Sequence, residues 1–174
     1  MADIKTKYPS TSSTDLTISL ASLASGSAGV YTAGRESTAV DNTTNVDLDH
    51  LVSGKITTGT SPTASRSINV YAYANISSSS GTPTYPDVLD GTDSDETFTS
   101  ANVMGSAVRL VASITTDNTS DRAYYFGPVS IASLFGGSLP KFWGVFVAHD
   151  SGVALNSTAD NHKISYERIQ GQTV

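Results

Sequence analysis

Ile68–Ile76, INVYAYANI, carries the clearest strand signature in the chain. Ile68, Val70, Ala72 and Ala74 fall on one phase and Asn69, Tyr71, Tyr73 and Asn75 on the other, which is the period of two of a β-strand and not the 3.6 of a helix. The aliphatic phase is fit for a core. The second phase carries two tyrosines and reads as an exposed, aromatic strand face.

The same alternation recurs on both sides of this strand. Leu16, Ile18 and Leu20 alternate with Thr17 and Ser19 and predict a first strand. Val30 and Tyr31 begin a second after the turn at 25–29. Val46, Leu48, His50 and Val52 set up a third that Gly54 is expected to bend or bulge. Towards the C-terminus strands are expected near Phe98 and over 108–115, 122–131, 141–149 and 163–169. IASLFGGSLP (131–140) is the one segment read as a helical turn, closed by its Gly pair and Pro140. Between Ile76 and the next strand lies SSSSGTPTYPDVLDGTDSDE (77–96), whose Pro83, Pro86, Gly81 and Gly91 exclude long regular elements; connections of this length usually have a task.

Eight or nine short strands with almost no helix predict an all-β, jelly-roll-like antiparallel sandwich, since such a sheet must bury its apolar face against a second one. An immunoglobulin-like sandwich is the alternative, weakened by the lack of any cysteine pair and by the long middle connection. At 174 residues one core suffices. The expected organisation is a flexible arm over 1–14, a sandwich domain over 15–170 and a short tail over 171–174. The arm carries Lys5, Lys7, Tyr8 and Pro9 without a strand pattern, and reads as ordered only when laid across a partner.

Composition narrows the function. The chain has 38% hydrophobic residues, a net charge of −6 and a pI near 4.8. Its ten basic residues are scattered, which argues against nucleic acid as a partner, because phosphate binding needs clustered Lys and Arg. No run approaches the roughly 18 to 20 apolar residues of a membrane helix, and MADIKTKYPSTSST lacks a secretory core, so synthesis in a cytoplasm without membrane insertion is expected. The absence of Cys excludes disulfides and thiolate metal sites.

No catalytic motif survives its spacing test. SGKITTG (53–59) has a Gly-Lys pair, but a phosphate loop needs Gly where Asp49 stands. No Ser lies in a Gly-x-Ser-x-Gly elbow, and His50 and His149 read as structural. Asp87, Asp90, Asp93, Asp95 and Glu96 bring five carboxylates into ten residues, a composition suited to Ca²⁺, yet without an EF-hand spacing. Asp90, Asp93 and Asp95 are the metal candidates, set against the plainer reading of a solvated acidic loop with no cofactor. Asn42, Asn75, Asn118 and Asn156 each open a glycosylation tripeptide of the kind chance supplies in a Ser/Thr-rich chain.

Aromatic residues remain. Tyr71 and Tyr73 share one strand face, Tyr124 and Phe126 another, and Trp143 is out of phase with Phe142 and Phe146. Strands apolar on both faces are buried twice, under loops or against another subunit. Lys5, Lys7, Tyr8, Tyr71, Tyr73 and Trp143 are therefore the interface candidates, with sugar stacking on the aromatics as the rival use.

AGRESTAVDNTTNVDLDHLVSGKITTGTSPTASRSINVYAYA (33–74), AYYFGPVSIASLFGGSLPKFWGVFVAHDSG (123–152) and NHKISYERIQ (161–170) together resemble small structural proteins encoded among the head genes of tailed bacteriophages. The resemblance implies a jelly-roll decoration or cement protein on the outside of a capsid. It implies the major capsid protein as partner, a homo-oligomer (dimer or trimer) and a non-enzymatic role in the virion. A receptor- or glycan-binding module of a head or tail fibre is the alternative.

Overall fold

The computed structural model describes residues 4–9, 13–79 and 82–173. Along the chain they form β1 (Ile4–Lys7), β2 (Thr14–Asp15), β3 (Ala33–Glu36), β4 (Val40–Asp41), β5 (Asp49–Thr57), β6 (Arg66–Ala74), β7 (Ser77–Ser79), β8 (Thr82–Thr84), β9 (Ser94–Thr97), α1 (Ala101–Ala107), β10 (Arg109–Thr116), β11 (Ala123–Ser130), α2 (Ile131–Leu134), β12 (Phe142–His149) and β13 (Lys163–Thr173), with a 3-10 turn at Ala159–Asn161 before the last strand.

Two antiparallel sheets carry the architecture. The first runs β1-β13-β5-β11, with β2 also beside β13; the second runs β10-β6-β12-β3-β9, with β4 beside β12. The chain steps between them: β1 and β2 in the first, β3 in the second, β5 in the first, β6 and β10 in the second, then β11, β12 and β13 alternately. That order is the double Greek key of a jelly roll. β7 and β8 form a separate hairpin.

β6 and β12 are the central pair of the second sheet, with Val70 opposite Val147, Ala72 opposite Val145 and Ala74 opposite Trp143. Their inward phase meets Val52 and Ile56 of β5 and Ile164 of β13, and Leu16, Leu20 and Leu23 close one side. β-branched residues dominate because they pack well on a pleated surface. Gly54 stands in an unbroken β5, where a Cβ would come within 2.7 Å of the Phe126 ring and the Lys163 carbonyl. The expected bulge lies instead in its neighbour β11, between Phe126 and Val129.

The tyrosine phase of β6 is not exposed. Tyr73 is fully buried and Tyr71 half-buried, beneath the insertion that runs from Asn75 to Val108 between β6 and β10. Leu89, Phe98, Met104 and Val108 of that insertion pack on Tyr73, Phe146 and Ala148 as a second core on the outer face of the second sheet. The long connection thus has a task, that of a cover. Helix α1 belongs to it and was not expected. It has seven residues, includes Gly105 and buries only Met104, so it carries no helical stripe; Ser100 caps it by accepting from the Val103 N–H.

Further expectations are corrected at the N-terminal side. Leu16–Leu20 keeps its alternation, with Leu16 and Leu20 buried, but ladder pairing stops at Asp15 because the segment crosses to the second sheet, where Thr17 accepts from Thr38 and Ser19 binds Asp93. The Val30–Tyr31 strand begins instead at Ala33. Val46 and Leu48 are exposed, Val46 in a left-handed turn, and β5 starts at Asp49. Within the expected arm Ile4–Lys7 form β1, paired with Gln170–Thr173, of which 171–173 belong to the expected tail. Backbone pairing along β13 overrides the missing alternation there. Residues 1–3 and 10–12 of the arm, and 174 of the tail, lie outside the described residues.

Candidate functional site

The most chemically loaded place in the molecule is a buried polar cluster bridging the two sheets. Asp47, beside the start of β5, accepts from Arg168 Nε at 2.7 Å and Nη2 at 3.1 Å, from Gln170 Nε2 at 2.7 Å and from His50 Nε2 at 2.9 Å. Trp143 Nε1 of β12 donates to His50 Nδ1 at 2.9 Å. The indole N–H is only a donor, so Nδ1 is bare and the proton of His50 sits on Nε2, aimed at Asp47. Burial holds the His50 pKa below the usual imidazole value against the pull of Asp47. Burial would raise Asp47, but the bonds from Arg168, His50 and Gln170 prevail and hold it low.

This arrangement has an Asp–His pair but no chemistry to perform. Both imidazole nitrogens are occupied, and the third member is an indole, which is neither a nucleophile nor a proton donor at neutral pH. Asp47 and His50 are buried, and the tilted Tyr166 ring packs 4.5 Å from the imidazole. The cluster staples β5, β12 and β13 together.

The other histidines are likewise occupied. His149 contacts Ser151 Oγ at 2.9 Å and the Leu23 carbonyl at 3.1 Å. His162 contacts the Asn156 carbonyl at 2.8 Å and receives the Thr57 N–H. Burial first of all depresses both.

The acidic loop is docked by cations and amides of its own chain. Arg35 Nε reaches Asp93 at 2.6 Å and its Nη1 reaches Asp95 at 3.1 Å. Ser19 adds bonds to Asp93 from its N–H and its hydroxyl. Asp90 accepts from Thr92 within its own turn, and Asp87 from Thr99. Asp90, Asp93 and Asp95 therefore do not converge, and no group of three His, Asp or Glu among the described residues is arranged to hold a metal ion.

Glu36 is a buried carboxylate that sequence reasoning missed. It is fully buried on the covered face of β3, where it accepts from the Gly91 N–H at 2.8 Å and the Asp90 N–H at 3.2 Å. Burial pushes its pKa up, offset in part by these bonds and by Tyr73. Nothing in the pattern AGRE marks it, because its partners are backbone amides more than fifty residues away.

The interface candidates divide. Trp143 and Tyr73 are fully buried and offer no surface to a partner; Trp143 serves the polar cluster, and Tyr73 donates to the Ser37 carbonyl at 2.7 Å. Tyr71 survives in part. With Val30, Tyr31, Met104, Val108 and Leu110 it lines a groove of about 380 Å³ at the open end of the second core. Lys5, Lys7 and Tyr8 are exposed, and so is Ile4, at 78%. Ile4 and Leu48 flank Gly171, making a small apolar patch where β1 and the end of β13 run past β5 as a two-stranded ribbon.

No family model matches the chain, and comparisons with curated proteins and with solved structures give no match.

Proposed function

We propose that the chain is a non-enzymatic virion structural protein, a decoration or cement protein that binds the outside of a phage capsid as a homo-oligomer and braces the shell. One observation carries this reading. The histidines and Asp47 of the interior are saturated by partners within the chain, while open strand edges and exposed apolar side chains such as Ile4, Leu110 and Tyr125 lie along the edge strands β1, β10 and β11. A molecule so arranged has little to offer a reaction and much to offer a neighbour. The sequence resemblance to phage head proteins supplies the neighbour, the major capsid protein. Bracing then follows from mass action, since every subunit interface spanned must be broken before the shell opens.

The test is addition of the purified chain to particles that lack it. Saturable co-sedimentation and release of DNA at a higher temperature are expected. Particles that neither take up the chain nor gain heat resistance would refute the reading.

The Tyr31/Tyr71 groove supports a second reading, a glycan- or receptor-binding module, because aromatic side chains beside a half-open groove suit sugar rings. Binding to host polysaccharide that disappears in Tyr71→Ala would favour it.

A further inference from the structure

We propose that β1 of one copy adds as an extra strand to β9 of a second copy, so that the chain self-associates through two oppositely charged sheet edges. This deepens the oligomer named above by giving it a surface.

Each main sheet ends in two edge strands. β10 and β11 lie beside one another, and each is interrupted, β10 by a register shift between Leu110 and Ala112 and β11 by one between Phe126 and Val129. Irregular rims of this kind resist further pairing. The small hairpin carries Pro83 on β8, which has no N–H to donate. β2 and β4 also pair on one side but span two residues each, so β1 and β9 remain as the longer edges, and among the described residues each pairs on one side alone.

Their open sides present backbone groups. The Phe98 N–H donates to the Thr32 carbonyl, and hydrogen-bonded pairs alternate along an antiparallel ladder. Residues 94, 96 and 98 therefore turn their backbones to β3, and Asp95 and Thr97 turn theirs outward. β1, in turn, pairs only with the last residues of β13, which run on beyond the end of β5, so this end of the sheet is a two-stranded extension that a third strand would stabilise.

Charge selects which edges can meet. β1 is IKTK and β9 is SDET. Pairing β1 with its own copy would bring Lys5 and Lys7 against Lys5 and Lys7, and pairing β9 with its own copy would gather Asp95 and Glu96; both are repulsive. Pairing β1 with β9 is attractive in either direction. In a full four-residue overlap Lys5 stands opposite Glu96 if the strands are antiparallel and opposite Asp95 if they are parallel. The Asp95 side chain, which Arg35 holds at 3.1 Å, is still 74% exposed and can face a second cation.

Sedimentation velocity over a concentration series, at low and high salt, reads the association. The wild-type chain is expected to associate reversibly, with a dissociation constant raised at least about tenfold by salt that shortens the Debye length. K5E/K7E and D95K/E96K are each expected to stay monomeric, and their equimolar mixture to associate again. Because the chain has no cysteine, single variants K5C, D95C and E96C give a second, independent readout. K5C mixed with E96C or D95C should form a disulfide heterodimer faster than K5C forms one with itself. A wild-type chain that is monomeric throughout, a K5E/K7E variant that associates like wild type, or cross-linking dominated by residue 5 to residue 5 would each overturn the proposal. Particle binding by the same variants separates the two readings. K5E/K7E that still associates and fails to bind particles refutes the edge pairing alone, whereas normal salt-sensitive association with no particle binding by any form supports the pairing and refutes the decoration role.

Discussion

The second sheet is buried on both faces, and its two cores are built in different ways. On the inner face Ile68, Val70, Ala72, Val145 and Val147 meet the first sheet, and one polar cluster, Trp143–His50–Asp47–Arg168, fixes the register between sheets. On the outer face Tyr73, Phe146 and Ala148 meet an insertion of turns, three short strands and one short helix, held by Glu36 and by the Arg35–Asp93 pair. The inner core is a product of strand periodicity. The outer core is a product of tertiary docking, and it removes from the surface the tyrosine face that alternation alone would leave in water. The difference teaches that an aromatic strand face in an all-β chain is evidence of a second cover as much as of a binding platform.

The largest effect should come from the inner staple. Asp47→Ala leaves Arg168 and His50 without their acceptor inside the sandwich and should cost about 3–5 kcal/mol in chemical denaturation, as breaking a buried pair does. A loss under about 1 kcal/mol would mean that the cluster does not join the sheets. Phe98→Ala removes a ring set edge-on to Phe146 at 5.1 Å. A penalty at or below the usual 3–5 kcal/mol is expected, expressed locally. Amide exchange should quicken over 86–108 while β5, β12 and β13 keep their protection; uniform loss across both cores would erase the distinction between them.

Acidification should weaken the inner sandwich first. Burial holds His50, His149 and His162 below the ordinary imidazole value of 6.5, so the unfolded chain takes up protons first. Their contribution is complete above that value and is lost as the pH falls through it. Asp47, Asp93 and Asp150, also held low, add a second loss below the ordinary Asp value of 3.8. Glu36 is raised and works the other way, since its buried carboxylate is relieved by protonation. The melting temperature is therefore expected to fall from pH 7 to pH 5, and a rise over that range would contradict the histidine assignments. The smallest effect belongs to Arg35→Ala. It frees Asp93 and Asp95 at a partly exposed site, with an expected cost of about 1 kcal/mol and faster exchange confined to 90–95.

These contrasts also mark what could be read beforehand. The jelly roll was legible because β5, β6, β10, β11, β12 and β13 each carry alternation over several residues, bounded by Gly, Pro or Asn. The ends of strands were less legible. Val46 and Leu48 continue an apolar pattern into solvent, and Leu16–Leu20 keeps the pattern without a ladder, because alternation reports burial and not pairing. Helix α1 was hidden for a different reason: it is short and is stabilised by what lies beneath it, whereas β9 falls beside the strand expected near Phe98. The site residues split along the same line. Lys5, Lys7 and Tyr8 are exposed as an arm should be, although Lys5 and Lys7 lie in a strand. Tyr73 and Trp143 went inside, since only the contacts of an insertion and of His50 could show where they point.

The decoration role proposed above has this jelly roll attached by its rim to the outside of a capsid. Cryo-electron microscopy of the intact particle tests that role most directly. The expected result is a sandwich-shaped density on the outer capsid surface, touching the shell or its own copies through the β1 and β9 side. Density at a fibre tip or in the particle interior, or contact made through the Tyr31/Tyr71 groove with the β1 edge left free, would contradict it.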